Sequence, residues 1–230
     1  GGFFMYLSDI HTHSIASGHG TSCTISDMAK AASKKGLKLL GITDHGPGTL
    51  AAGTSSYFRS LTYAPKKRFG IELLFGAELN ILDTEGHLDL NDELLGELDY
   101  AISSMHAQNY KSGTVEENTS AYLNAMRHPC VKVLGHCDNP AFPVDYETLA
   151  FGAKEYGVIF EINEASLMPD GYRGDTKENN REILKYCMKY EIPIVLSSDS
   201  HGAEHIGDFT YGAEFVHEMM FPEKMILNND

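Results

Sequence analysis

The chain is poor in basic residues: 18 Lys and Arg stand against 32 Asp and Glu, a formal net charge of −14. Nucleic-acid backbones are gripped with Lys and Arg. The longest basic cluster, Lys66-Lys67-Arg68, reads as a solvated helix end. A nucleic-acid partner is therefore not expected. No stretch approaches the roughly 18 apolar residues of a membrane span, so no membrane partner is expected either. The first residues carry neither a basic leader nor a long apolar segment, which argues against a secretory signal. The four cysteines, Cys23, Cys130, Cys137 and Cys187, show no C-x-x-C spacing and read as reduced thiols of a cytoplasmic protein. No G-x-G-x-x-G follows the first strand pattern, which disfavours a dinucleotide fold. Repeats, low-complexity tracts and linkers are missing, so one domain over residues 1–230 is the simplest organisation. Nothing in the chain sets an oligomeric state.

What is present is a regular alternation of short apolar runs and amphipathic stretches. Candidate strands are Met5–His11, Leu37–Thr43, Ile71–Asn80, Tyr100–Met105, Val131–His136, Val158–Asn163 and Pro193–Ser198. Candidate helices are Ile25–Lys35, Thr114–Arg127, Tyr146–Tyr156, Lys177–Tyr190 and Ala213–Met220, several stopped by Gly or Pro. Such βα alternation predicts an α/β fold with a parallel sheet. Ligand candidates on both the first and the last strand favour closure into a seven-stranded (β/α) barrel, because an open sheet would hold its edges apart. The segment Leu82–Leu90 resembles a turn joining two short strands, and Thr49–Gly70 is expected to cover the mouth, with Tyr57, Phe58 and Tyr63 as contacts or, equally, as core of the flanking helix.

The strand ends carry the chemistry. His11 and His13 close the first strand, and residues i and i+2 share one face. His19 follows in a glycine-flanked loop. His45 ends the second strand beside Asp44, which reads as a capping residue or an orienting carboxylate. Glu78 ends the third in apolar surroundings, costly unless it is paired or metal-bound. His106 and His136 end the fourth and fifth, and Asp199 and His201 share one face after the seventh. His87, His128, His205 and His217 lack this context and read as surface or helix residues. Cys137 follows His136 directly and should point to the opposite face. Nine nitrogen and oxygen ligands exceed what one four-coordinate zinc can use. They imply a multi-metal centre, and such a centre implies hydrolysis.

The runs Asp9-Ile10-His11-Thr12-His13-Ser14, Ile42-Thr43-Asp44-His45-Gly46-Pro47, Glu161-Ile162-Asn163 and Ser198-Asp199-Ser200-His201, in that order, resemble the PHP (polymerase and histidinol phosphatase) family, and specifically its stand-alone YcdX-like phosphatase branch. The resemblance spans essentially the whole chain. It implies a distorted seven-stranded TIM-like barrel with a trinuclear metal centre. On that pattern His11, His13, Glu78 and Asp199 hold one ion, and Glu78, His106 and His136 a second, with Glu78 bridging. His19, His45 and His201 hold a third. Zinc is the expected metal for so histidine-rich a set, with iron and manganese as alternatives.

The expected activity is phosphomonoester hydrolysis of a small phosphorylated substrate, with a metal-bridging hydroxide as the nucleophile. Glu78, Asp199 and Arg173 are the expected catalytic residues, Arg173 as a phosphate clamp because a planar guanidinium suits phosphate. The alternatives are a phosphodiesterase or nuclease, a histidinol-phosphate phosphatase, a C–N amidohydrolase, and a non-catalytic metal-binding module. The amidohydrolase lacks its bridging lysine here, and the nuclease lacks its basic groove.

Overall fold

The structure of the chain, a computed structural model, describes residues 6–229; Met5, the first residue of the expected opening strand, lies outside them. The opening strand is broken into β1 (Ser8–Asp9) and β2 (Thr12–His13). There follow α1 (Ile25–Lys34), β3 (Leu39–Ile42), α2 (Ser55–Leu61), β4 (Lys67–Arg68), β5 (Ile71–Phe75), β6 (Ala77–Asn80), α3 (Asp92–Leu95) and β7 (Ala101–Ser104). The second half contains α4 (Val115–Met126), β8 (Val131–Leu134), α5 (Tyr146–Tyr156), β9 (Ile159–Asn163), α6 (Glu164–Leu167) and α7 (Lys177–Tyr190). It ends with β10 (Ile194–Ser197), β11 (Ser200–His201) and α8 (Thr210–Glu218). The longer helices begin where the chain can satisfy its free N–H groups. Thr24 with Asp27, and Thr114 with Glu117, form reciprocal capping boxes at α1 and α4. α5 stops at Gly157, whose φ of +67° is the left-handed cap that glycine adopts freely.

The fold is mixed α/β with parallel pairing, but hydrogen bonding divides the strands among three sheets. They run β1-β3-β5-β4, β10-β9-β8-β7-β6 and β11-β2. No closed barrel of strand pairing forms among the described residues. Two local causes are visible. The expected strand Ile71–Asn80 splits at Gly76, so that β5 pairs with β3 while β6 pairs with β7. A Cβ on Gly76 would fall 2.6 Å from the Tyr100 carbonyl oxygen, so only glycine permits this hand-over. Between β1 and β10 the Asn228 carboxamide takes the place of a ladder. It accepts from Leu196 N at 2.8 Å and donates to Leu196 O at 2.8 Å and Ser8 O at 2.9 Å.

Other expectations shift. Lys67 and Arg68 form an antiparallel edge strand rather than a helix end, because Lys67 and Arg68 pair with Glu72 and Ile71 across the Phe69-Gly70 turn. Leu82–Leu90 contains no strand; a single antiparallel bridge joins Ile81 to Leu88. The short helices α3 and α6 were not expected, whereas α2 is the helix expected within Thr49–Gly70, and it buries Phe58. Most buried apolar side chains join one large cluster beneath the helices, including Leu40, Ile42, Leu79, Phe160, Ile162 and Leu196. A second cluster consists of Tyr100, Ile102, Val133 and Val195, with Ile10, Leu74 and Ile159 packed against it.

Candidate metal centre and its cavity

The candidate ligands stand at or just beyond strand ends. His13 lies in β2, Glu78 in β6 and His201 in β11; His106 and His136 follow β7 and β8 by two residues. Strand alternation puts some of them on the same face as the second apolar cluster, four residues farther along: Ile102 to His106, Val195 to Asp199. His136 at φ +26° and Asp199 at φ +54° occupy the left-handed region, unusual for residues with a side chain. Such strain concentrates where a side chain must be aimed.

All nine expected ligands converge. Glu78 is the centre: its Oε1 lies 2.7 Å from His136 Nε2 and 3.3 Å from His106 Nε2. Its Oε2 lies 2.8 Å from His45 Nδ1, 3.4 Å from His11 Nε2 and 3.5 Å from His13 Nε2. Asp199 Oδ1 is 3.2 Å from His13 Nε2 and 3.6 Å from His11 Nε2. His201 stacks on His13 with ring centroids 4.3 Å apart, and exposed His19 lies 5.0 Å from His45 and 4.9 Å from His201. His87, His128, His205 and His217 stay outside, and Cys137 is buried in the large apolar cluster.

Hydrogen bonds behind the cluster fix the rings of His11, His13 and His106. Glu161 Oε1 binds His11 Nδ1 at 2.5 Å, and Oε2 accepts the His136 backbone N–H at 2.6 Å. Asn80 Oδ1 accepts from His106 Nδ1 at 2.7 Å, while Asp89 holds the Asn80 amide at 2.6 Å. Asp44 does not touch His45 as an orienting carboxylate would. It accepts from Ser17 Oγ at 2.7 Å, and that hydroxyl in turn faces His13 Nδ1 at 2.9 Å. Each supporting contact leaves the other ring nitrogen free to face the cluster, the arrangement by which proteins set the imidazole tautomer for a metal.

The residues fit a group of cations. His11 Nε2, His13 Nε2, His45 Nδ1, His201 Nε2 and Glu78 Oε2 are buried and lack a hydrogen-bond partner. The short contact between His45 and Glu78 is misaligned for such a bond. Buried polar atoms without partners are rare and call for a missing ligand. One donor each from His11, His13 and Glu78 lie within 4.8 Å of one another, as do donors of His13, His45 and His201, and of His45, Glu78 and His106.

The electrostatics favour neutral rings at His13, His19, His136 and His201, and protonated rings at His11 and His45, whose neighbouring carboxylates outweigh burial. Burial pushes the imidazoles of His13, His19 and His201 below their ordinary range, and burial with Arg173 nearby takes His136 down to about 4. Burial alone would also depress His11, but Glu161, Asp199 and Glu78 raise it. Burial opposes ionisation of Glu78, yet His106, His45 and His11 hold its carboxyl well below the usual range. The neutral imidazoles and the Glu78 carboxylate so favoured are forms that ligate metals, whereas His11 and His45 would release a proton on binding one.

The cluster floors a cavity of about 560 Å³, a size suited to a small molecule. Arg173 lines it, but its guanidinium is engaged: Nη2 donates to Asp199 Oδ2 at 2.8 Å and Nη1 to Ser166 Oγ at 2.9 Å. Of the segment Thr49–Gly70 only Thr49 borders the cavity. Tyr57 instead donates its hydroxyl to Asp44, Phe58 is core, and Tyr63 faces solvent. The remaining wall comes from residues 105–108, 139–142 and Tyr172. Asn80, Asp89 and Ser17 were not foreseen as site residues; Asp44 was expected beside His45 rather than behind His13, and Glu161 stood only in the family-like run Glu161-Ile162-Asn163, with no role given. Glu161 carried a signal, a carboxylate within an apolar strand, the same signal that marked Glu78.

Comparison with known proteins agrees with this geometry. Residues 9–167 match the PHP domain, and residues 177–213 match a segment described as PHP-associated. A probable phosphatase of Clostridium novyi is 40% identical over 225 residues, covering 98% of this chain and 91% of that protein. A probable phosphatase of a Thermoanaerobacter species is 40% identical over 223 residues, covering 96% and 90%. The fold resembles histidinol phosphate phosphatase from Lactococcus lactis, solved with zinc, L-histidinol and phosphate. The TM-score is 0.64 at 18% identity, covering 94% of this chain and 95% of that one.

Proposed function

The chain belongs to the PHP-domain family, and on that premise we propose that it is a metal-dependent phosphatase that hydrolyses a small phosphate monoester. One observation carries the reading: buried ring nitrogens and a buried carboxylate oxygen converge with no partner of their own. His11, His13, Glu78 and Asp199 would hold one divalent ion, Glu78, His106 and His136 a second, and His19, His45 and His201 a third. When bound, such ions supply Lewis acidity and a nucleophile at neutral pH. Zinc is our first choice because imidazoles dominate the set.

The chain's own groups do the rest. Glu78 reaches both sides of the cluster with its two oxygens. Asp199, held by Arg173 and by Asn163 Nδ2 at 3.2 Å, presents its other oxygen to His13. Arg173 contributes a fixed positive charge at the cavity wall, pinned by Asp199 and Ser166. Such a preorganised charge favours a phosphoryl group as its charge redistributes. Met105 and Phe142, both buried, keep one side of the cavity dry.

The same reading takes the three sheets as parts of one distorted seven-stranded barrel and the chain as one domain. The β2–β11 pair, which brings the first strand beside the last, supports it. So does the bridge from His45 to Glu78. We also take the protein to be cytoplasmic; no helix among the described residues is long and apolar enough to cross a membrane. The test is hydrolysis of p-nitrophenyl phosphate by purified protein loaded with divalent metals, paired with elemental analysis. Turnover that chelation abolishes and metal restores is expected. An unchanged rate after chelation would overturn the reading.

A further inference from the structure

The phosphatase reading says nothing about the alcohol from which phosphate is cut, but the cavity wall does. Away from the ligand cluster the wall is made of Met105, Ala107, Gln108, Ala141, Phe142 and Tyr172, with the neutral Asn139 and Thr49 beside them. Among the described residues lining the cavity, the carboxylates are Glu78 and Asp199, and both are consumed by the imidazoles and Arg173. Arg173 is the one Lys or Arg among them, and its Nη atoms are bonded to Asp199, Asn163 and Ser166. The part of a substrate that projects past the phosphate therefore meets apolar carbon, two aromatic rings and two amides. It meets no free charge of either sign.

Resting on the phosphatase reading, we infer that the substrate is the phosphate ester of an uncharged alcohol or phenol with an apolar or aromatic body. An ester bearing an ammonium group, as histidinol phosphate does, would bring a cation into a wall with no carboxylate to receive it. Where the wall is buried, at Met105 and Phe142, that cation would shed water without gaining a partner, which is unfavourable. The Tyr172 ring does not offer it a cation site either, since the Arg173 guanidinium already lies 4.5 Å from that ring's centroid. A polyanionic alcohol would find no free basic side chain. An uncharged ring has Phe142 and Tyr172 to lie against, where aromatic contacts add to burial.

The test is a matched pair, 4-methylphenyl phosphate and 4-(aminomethyl)phenyl phosphate, compared by kcat/KM in the metal-loaded enzyme near pH 7. The two esters are similar in shape and differ in one positive charge; that charge makes the ammonium phenol the better leaving group, so a preference for the methyl ester cannot come from leaving-group chemistry. A preference of about tenfold or more for the methyl ester is expected, the scale of an unpaired polar group in a pocket. Gln108→Glu adds a carboxylate at an exposed wall position. It should narrow the preference by about fivefold, the scale of one charge pair in water. Equal rates or a preference for the ammonium ester would overturn the inference while leaving the phosphatase reading intact. If neither ester is hydrolysed, the phosphatase reading falls, and calorimetric binding of the same pair still judges the inference. Tighter binding of the methyl ester sustains it; equal, reversed or undetectable binding sinks it.

Discussion

The same strands build two regions of opposite character. At one level Ile10, Leu74, Ile102, Val133, Ile159 and Val195 meet as a dry plug. A few residues farther along lie His11, Glu78, His106, Glu161 and Asp199, equally buried or nearly so, but polar. The backbone geometry is shared, so the difference lies in what the side chains require. The plug is satisfied by its own contacts. The rim is satisfied only in part: Glu161, Asn80 and Ser17 bind the outer ring nitrogens of His11, His106 and His13, and the inner nitrogens of His11 and His13 have no hydrogen-bond partner. The plug is thus complete as folded, and the rim is complete only with a ligand.

This contrast can be broken at either level. The largest effect is expected from Glu78→Ala, since both oxygens serve the cluster. Turnover should fall by more than the ~100-fold typical of a supporting residue. Metal content by elemental analysis should drop with it. Retention of full metal and rate would end the assignment of Glu78 as the bridge. Next, Ile102→Ala in the plug should lower folding stability by about 2–5 kcal/mol in denaturant titration. Metal content per folded molecule should stay unchanged. A variant that lost metal while remaining folded would show the two levels are not separate.

A smaller change is expected from Glu161→Gln, which keeps the shape but weakens the hold on His11 and the His136 amide. Metal affinity should fall by about 10–100-fold, measured by competition with a chromophoric chelator. The smallest concerns pH. In the metal-free protein His136 sits near 4, against 6.5 for a free imidazole. Between those values the unfolded chain binds the extra proton, so this group makes stability fall as pH falls from 6.5 to 4. The effect is roughly 3 kcal/mol at most. His136→Asn, which tolerates the positive φ, should flatten that slope in urea titrations. An identical slope would show that His136 is not held neutral.

Much of the rim was legible because the physics that places it is local. An apolar run of four to eight residues ending in His or Glu reads as a strand delivering that side chain, and His106, His136 and Glu78 follow that rule. Helix bounds such as Tyr146–Tyr156 and Lys177–Tyr190 were legible from periodicity and stop residues. The division into three sheets was not. It depends on Gly76 facing the Tyr100 carbonyl and on Asn228 reaching β10, contacts far apart in the chain. Nor were the supporting residues. Asp44 looked like a partner for adjacent His45, but through Ser17 it serves His13 instead. The stretch after Thr49 looked like a lid from its length and aromatics. The Tyr57 hydroxyl turns inward to Asp44, and the cavity is walled by the loops after β7 and β8.

The Asn228 carboxamide has a wider implication. Elsewhere neighbouring strands are stitched by several peptide groups, each backed by the next. At this seam one side chain near the end of the described residues acts as a latch, touching Ser8 and Leu196 together. Asp9, one residue on from Ser8, receives Ser198 N–H at 3.2 Å, and Ser198 precedes Asp199. Loosening the tail would therefore reach the cage through two short steps of chain, from Ser8 to Asp9 and from Ser198 to Asp199.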